Sequence, residues 1–117
     1  MKQIKVKRIY EEASEDDGYR ILVDRLWPRG ISKSQAKLNE WKKNIAPSTA
    51  LRNWFSHKPE RFHEFVRLYK IELKGFETDL KDLVSLARDQ NICLLFSAKD
   101  TQRNQAVVLR DVLQNML

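Results

Sequence analysis

The chain has 117 residues, 42% hydrophobic and 32% charged, with 22 Lys and Arg against 16 Asp and Glu. That length suits one domain with a modest core, the composition excludes an intrinsically disordered chain, and a net charge of +6 predicts attraction to polyanions at low salt. A single cysteine, Cys93, excludes an internal disulfide and a cysteine-cluster metal site. The longest apolar runs, at 92–96 and 106–109, are too short to span a bilayer, and no apolar h-region follows Met1; a soluble, cytoplasmic protein without a membrane partner is expected.

Ile4 and Val6 alternate with lysines, which predicts a short strand with mixed faces near a sheet edge. Glu11, Glu12, Glu15, Asp16 and Asp17 then form an acidic stretch ending at Gly18, read as a mobile surface connection without chemistry. The apolar run Ile21-Leu22-Val23 predicts a strand over 20–24, which opens into Asp24, Arg25, Trp27, Pro28, Arg29 and Gly30. Residues 32–36 read as a helical turn, and 38–45 as a strand or extended arm carrying Trp41. Pro47-Ser48-Thr49 opens a short helix to Phe55, with Ser48 or Thr49 as the cap.

After Pro59, the residues Phe62, Phe65, Val66, Tyr69, Leu73 and Phe76 recur at helical spacing, and Arg61, Glu64, Arg67, Lys70 and Lys74 fall on the other side. Gly75 should end or bend this helix. Thr78 should cap the next, whose Leu80, Leu83, Val84 and Ala87 face inward. The continuous apolar run at 91–96 predicts a strand covered on both faces. It leads through Ser97-Ala98-Lys99-Asp100-Thr101 into a helix burying Ala106, Leu109, Val112, Leu113 and Met116. The fold class expected is α/β, a small, mostly parallel sheet flanked by helices.

Four stretches carry a resemblance: residues 19–30; Ala46-Pro47-Ser48 with Leu51, Arg52, Trp54, Phe55 and His57; the helix at 61–73; and Leu94-Leu95-Phe96-Ser97-Ala98-Lys99-Asp100 with Asn104 and 106–109. Together they resemble, nearly end to end, the YeaO-like proteins, small uncharacterised bacterial proteins of the domain of unknown function 488 superfamily. The resemblance implies relatives but no reaction. Many YeaO-like members have His after the last Asn, where this chain has Gln105. The wider superfamily often has a Cys-His-Arg run where this chain has Arg103-Asn104-Gln105. A thiol or imidazole mechanism is therefore not implied, whereas the strand-end Asp24, Arg25 and Pro28 match.

If the strands at 20–24 and 91–96 run parallel, their carboxyl ends bring residues 24–29 beside 97–103, in the crevice where open α/β sheets hold ligands. A helix N-terminus there, with Lys99 and Arg103, suits a phosphate or carboxylate; equally, Ser97, Asp100 and Thr101 can serve only as helix caps. The candidate ligand set is Arg20, Arg25, Trp27, Arg29, Arg52, Ser97, Lys99, Arg103 and Asn104, with Arg20 and Arg52 completing an anion cradle. Asp24 is the one candidate acid or base, or else a salt-bridge partner of Arg25. Trp27 can stack a base or anchor the core, and Trp54 is expected in the core. Arg61 and Arg67 should pair with Glu60 or Glu64. His57 and His63 lack the spacing of a metal site, and Cys93 reads as a small core residue. The function this supports is a site for a nucleotide or nucleic acid. The alternatives are a noncatalytic DNA- or protein-binding regulatory module and a small-carboxylate binder. Reaction, cofactor and oligomeric state stay open.

Overall fold

A computed structural model describes residues 2–117, with Met1 outside the described residues. Four strands, β1 (Ile4–Arg8), β2 (Tyr19–Leu22), β3 (Glu40–Trp41) and β4 (Ile92–Phe96), form one sheet in the order β1-β4-β2-β3, and every neighbouring pair is parallel. Ile92 stands opposite both Ile4 and Tyr19, and Leu95 opposite both Lys7 and Leu22. Every residue of β4 is buried, because it is paired on both sides and covered on both faces.

The two faces are covered unequally. Ile21, Val23, Ile92, Leu94 and Phe96 face α2 (Thr49–Phe55), α3 (Phe62–Leu73), α4 (Glu77–Asp89) and α5 (Gln105–Met116), which contribute Phe65, Tyr69, Leu83 and Leu109 among others to one core. Leu22, Cys93 and Leu95 face a smaller cluster with Ile9 and Ala36, closed by Trp27, Ile31, Leu38 and Trp41. Helix α1 (Lys33–Ala36), a single turn with a Ser32/Gln35 capping box, brings Ala36 to that side. No helix among the described residues is long and apolar enough to cross a membrane.

The helix ends follow from local chemistry. The Ser48 hydroxyl oxygen accepts from the Leu51 N–H at 3.1 Å, and its O–H donates to Glu72 at 2.6 Å, tying the start of α2 to α3. Gly75 lies in a 3-10 turn, Lys74–Phe76, that bends the chain from α3 into α4. Helix α4 grows directly out of that turn, so Thr78 falls inside its first turn and no side chain caps it. The segment at 38–45 divides into the two-residue β3 and a 3-10 turn, Lys43–Ile45.

Two further expectations, both about burial, are corrected. Asp17 is wholly buried: its carboxylate accepts from Lys5, Lys7 and Arg20, and from the backbone N–H of Ser14, so the acidic segment is pinned at its end. Trp54 is 38% exposed, on the outside of α2, with the Arg61 guanidinium 5.3 Å from its ring centroid.

Candidate functional site

Strands β2 and β4 end side by side because they are paired in register, and the Val23 N–H donates to the Leu95 carbonyl at 3.0 Å just beyond the last pair. The next residues, Asp24 and Ser97, therefore meet. The Ser97 N–H and O–H both donate to Asp24 Oδ2, at 3.1 and 2.6 Å, and Gln105 Nε2 donates to Oδ1 at 2.5 Å. Asp24 thus ties two strand ends to the first turn of α5. It does not pair with Arg25, whose guanidinium donates instead to the Pro47 and Ala46 carbonyls at 2.8 and 2.9 Å. These bonds hold the chain entering α2 against the site.

A cleft of about 850 Å³ opens over this junction. Arg8, Arg25, Arg29, Arg52, Lys99 and Arg103 all line it, and Asp24 is its only carboxylate. Ser97, Asn104, Trp27 and His57 contribute to the walls, and Phe55 and Phe65 to the floor. Among the described residues, Arg29, Arg52 and Lys99 make no ion pair, while Arg103 has one exposed partner, Asp100, at 3.5 Å. Positive charge concentrated on concave walls focuses the field on whatever enters. The backbone at the rim is unusual too: Ser56 and His57 are consecutive left-handed residues, with φ of 47° and 55°.

Burial pushes the Asp24 carboxyl above its ordinary range, against the bonds from Ser97 and Gln105 and the nearby charge of Arg52. A carboxyl raised in the folded state contributes stability that is present below its unfolded pKa and is lost as pH rises through the folded value. Asp24→Asn is thus expected to gain stability relative to the parent between about pH 4 and about pH 7.5, in urea titrations at both pH values. Parallel pH profiles for variant and parent would remove this assignment.

Of the nine residues expected to bind a ligand, eight line the cleft; the exception is Arg20. Its guanidinium donates to Asp17 at 2.5 Å and to the Ala36 and Lys37 carbonyls, beside the start of β2. Asn104 lines the wall but has its side chain engaged: Oδ1 accepts from the Val107 N–H and caps α5, while Nδ2 donates to the Asp100 carbonyl. Helix α5 is therefore capped by Asn104. Asp100 instead accepts from the N–H groups of Gln102 and Arg103 within the preceding loop. Trp27 is half-buried, edge-on to Trp41 at 5.4 Å, with Nε1 donating to the Ile31 carbonyl. It anchors the second core cluster and also shows a surface to the cleft.

Arg8 is a cleft residue that the sequence reading missed. It ends β1, and its guanidinium donates to the Ser97 and Ala98 carbonyls and lies 4.8 Å from the Tyr10 ring centroid. Parallel pairing of β1 with β4 is the signal that would have found it, since Arg8 then stands opposite Phe96. Elsewhere, Arg67 pairs with Glu64, and Arg61 donates to the Trp54 carbonyl. Burial pushes the Cys93 thiol up to about 11, so it is inert at neutral pH. No group of three or more His, Cys, Asp or Glu among the described residues is arranged to hold a metal ion.

Residues 3–117 match a family described as the inactive DUF488-N3 subclade. The chain is 47% identical over 113 residues to the uncharacterized protein YeaO of Escherichia coli K12, covering 97% of this chain and 98% of that one. It is 39% identical over 111 residues to uncharacterized proteins of Mycobacterium bovis and Mycobacterium tuberculosis, covering 95% of this chain and 93% of each of those. No solved structure matches.

Proposed function

Because the chain belongs to the YeaO-like proteins of the DUF488 superfamily, we propose that it is a cytoplasmic protein that binds a phosphate-bearing ligand, a nucleotide or nucleic acid, in the cationic cleft and senses it without transforming it. The observation that carries this reading is the charge of the cleft, where six Lys and Arg side chains surround a single carboxylate. Arg29, Arg52 and Lys99 are the groups available to a ligand, because the hydrogen bonds of Arg8 and Arg25 are partly committed to backbone carbonyls. Arginine forks suit phosphate oxygens, and Trp27 offers an aromatic surface to a base.

Support for binding without turnover comes from the family's description as inactive and from Asp24 itself. Both of its oxygens already accept hydrogen bonds from Ser97 and Gln105, and the other proton-exchanging side chains of the cleft, Tyr10, His57 and Lys99, are all exposed. General acid–base chemistry needs a group free to exchange a proton with substrate.

The test is a thermal-shift series with inorganic phosphate, nucleoside mono- and triphosphates, small carboxylates and oligonucleotides at low and high salt. A phosphate-bearing ligand at about a hundredfold over its Kd should stabilise by about 2.7 kcal/mol and raise the midpoint by roughly 10 °C. Lys99→Ala and Arg52→Ala, which break no hydrogen bond or ion pair among the described residues, should abolish most of that shift while keeping the unliganded midpoint. No shift from any phosphate-bearing ligand, or equal shifts in parent and variants, would refute the proposal.

A further inference from the structure

Resting on the cleft reading above, we infer that the ligand is a single-stranded nucleic acid several nucleotides long, lying across the cleft and a second hollow beside it. That hollow, about 620 Å³, is lined by Pro59, Phe62, His63, Val66, Arg67, Lys70 and Arg103. Arg103 lines both hollows, so they adjoin across one cationic side chain. His63, Arg67 and Lys70 are four and three residues apart on α3, which places them along one face over roughly 10 Å. No carboxylate lines the second hollow, but Glu64 on the same helix accepts from the Arg67 guanidinium at 2.6 and 2.8 Å, so Lys70 is the cation of this face that makes no ion pair among the described residues.

An aromatic row underlies both recesses. Phe55 and Phe65 floor the cleft, their rings 4.4 Å apart, and Phe62, 6.0 Å from each, lines the second hollow. A chain of phosphates along the cations with bases toward Trp27 and the partly exposed Phe62 is the arrangement that sequence-tolerant single-strand binders use. A mononucleotide would fill only one hollow, since each alone already has the size of a small-ligand pocket. A duplex is disfavoured because its grooves are read by a projecting helix or ribbon, whereas this surface is recessed. An acidic protein segment would match the charge but would make no use of the aromatic surfaces.

Fluorescence anisotropy with labelled oligothymidylates of one to eight nucleotides tests this, alongside polyglutamate and a duplex of equal length as competitors. Affinity should rise at least about tenfold from the mononucleotide to the hexamer. Lys70→Glu, an exposed position outside the cleft, should weaken the hexamer several-fold, with the thermal midpoint and mononucleotide binding unchanged. Equal affinity for mononucleotide and hexamer, or indifference of the hexamer to Lys70→Glu, overturns the extended path while leaving the cleft reading standing. Polyglutamate or duplex competing as well as the hexamer also overturns it. No binding of any phosphate-bearing probe overturns both.

Discussion

Asp17→Ala is expected to cost about 3–5 kcal/mol of folding stability, the usual penalty for removing one partner of a buried ion pair. Asp17 is fully buried, and Arg20, 5% exposed, would be left facing empty space with only the Ala36 and Lys37 carbonyls as acceptors. Lys5 and Lys7 would lose the same partner, and with it the link between β1 and the start of β2. The neighbouring exposed acids are the control: Glu15→Ala and Asp16→Ala should change stability by no more than about 0.5 kcal/mol. Urea unfolding of the three variants measures the difference. A loss below about 1 kcal/mol for Asp17→Ala would show that the three cations rehydrate freely.

The same carboxyl has a pH signature. Burial alone would raise its pKa, but the Ser14 N–H and the bonds from Lys5, Lys7 and Arg20 outweigh that and hold it well below the usual carboxylate range. A depressed carboxyl contributes stability that is present above its unfolded pKa and is lost as pH falls through its folded one. Asp17 and Asp24 therefore act oppositely in acid: protonation removes stability at Asp17 and removes a cost at Asp24.

Much of the α/β architecture is legible because burial on both faces leaves β4 no choice but continuous apolar residues, and because α3, α4 and α5 each carry an apolar stripe at helical spacing. The crevice follows from that sheet: parallel strands must end together, which brings Asp24 to Ser97. What the residues do not declare is which end of a strand a charge occupies. Arg20 and Arg25 differ by five positions, or about 16 Å of extended chain, so one belongs to the amino end of the sheet and the other to the carboxyl end. Arg8 was missed for the complementary reason, as β1 could not be oriented against β4 from its alternation alone.

Trp54 and Asp17 were misjudged through composition. A tryptophan is usually worth burying, but α2 seats only Leu51 and Phe55 in the core, and Trp54, three residues after Leu51 and at the flank of that face, stays 38% exposed with the Arg61 guanidinium over its ring. Asp17 is one of five acids in a short acidic stretch, and only the third position of the Ser14 capping box distinguishes it from the others. That signature was present, as Ser14-x-x-Asp17. The helix it opens is a single 3-10 turn, and the cations that pair with Asp17 come from β1 and β2, which spacing in the sequence does not bring together.

Gly18→Ala is expected to be about as severe, at roughly 3–4 kcal/mol, combining about 1–3 kcal/mol of backbone strain with about 1–3 kcal/mol of overpacking. Gly18 has φ 66° and ψ −129°, and a Cβ there would lie 2.0 Å from the Asn91 carbonyl oxygen. That oxygen cannot retreat without loss. It accepts the Tyr19 N–H at 2.9 Å, while the Asn91 side chain holds the Gln3 N–H and the Asp16 carbonyl at 2.8 and 3.0 Å. Gly30→Ala is the matched comparison, since Gly30 has φ 77° but nothing within 4 Å of its would-be Cβ, and should cost only about 1 kcal/mol. Equal losses for the two variants in urea unfolding would dismiss the clash and leave strain alone. The contrast also separates the two ends of the sheet. At the amino end, Asp17, Gly18 and Asn91 are packed and bonded to one another's neighbours. At the carboxyl end, Arg29, Arg52 and Lys99 keep their charge uncompensated by ion pairs, and that end is where ligand dependence should be sought.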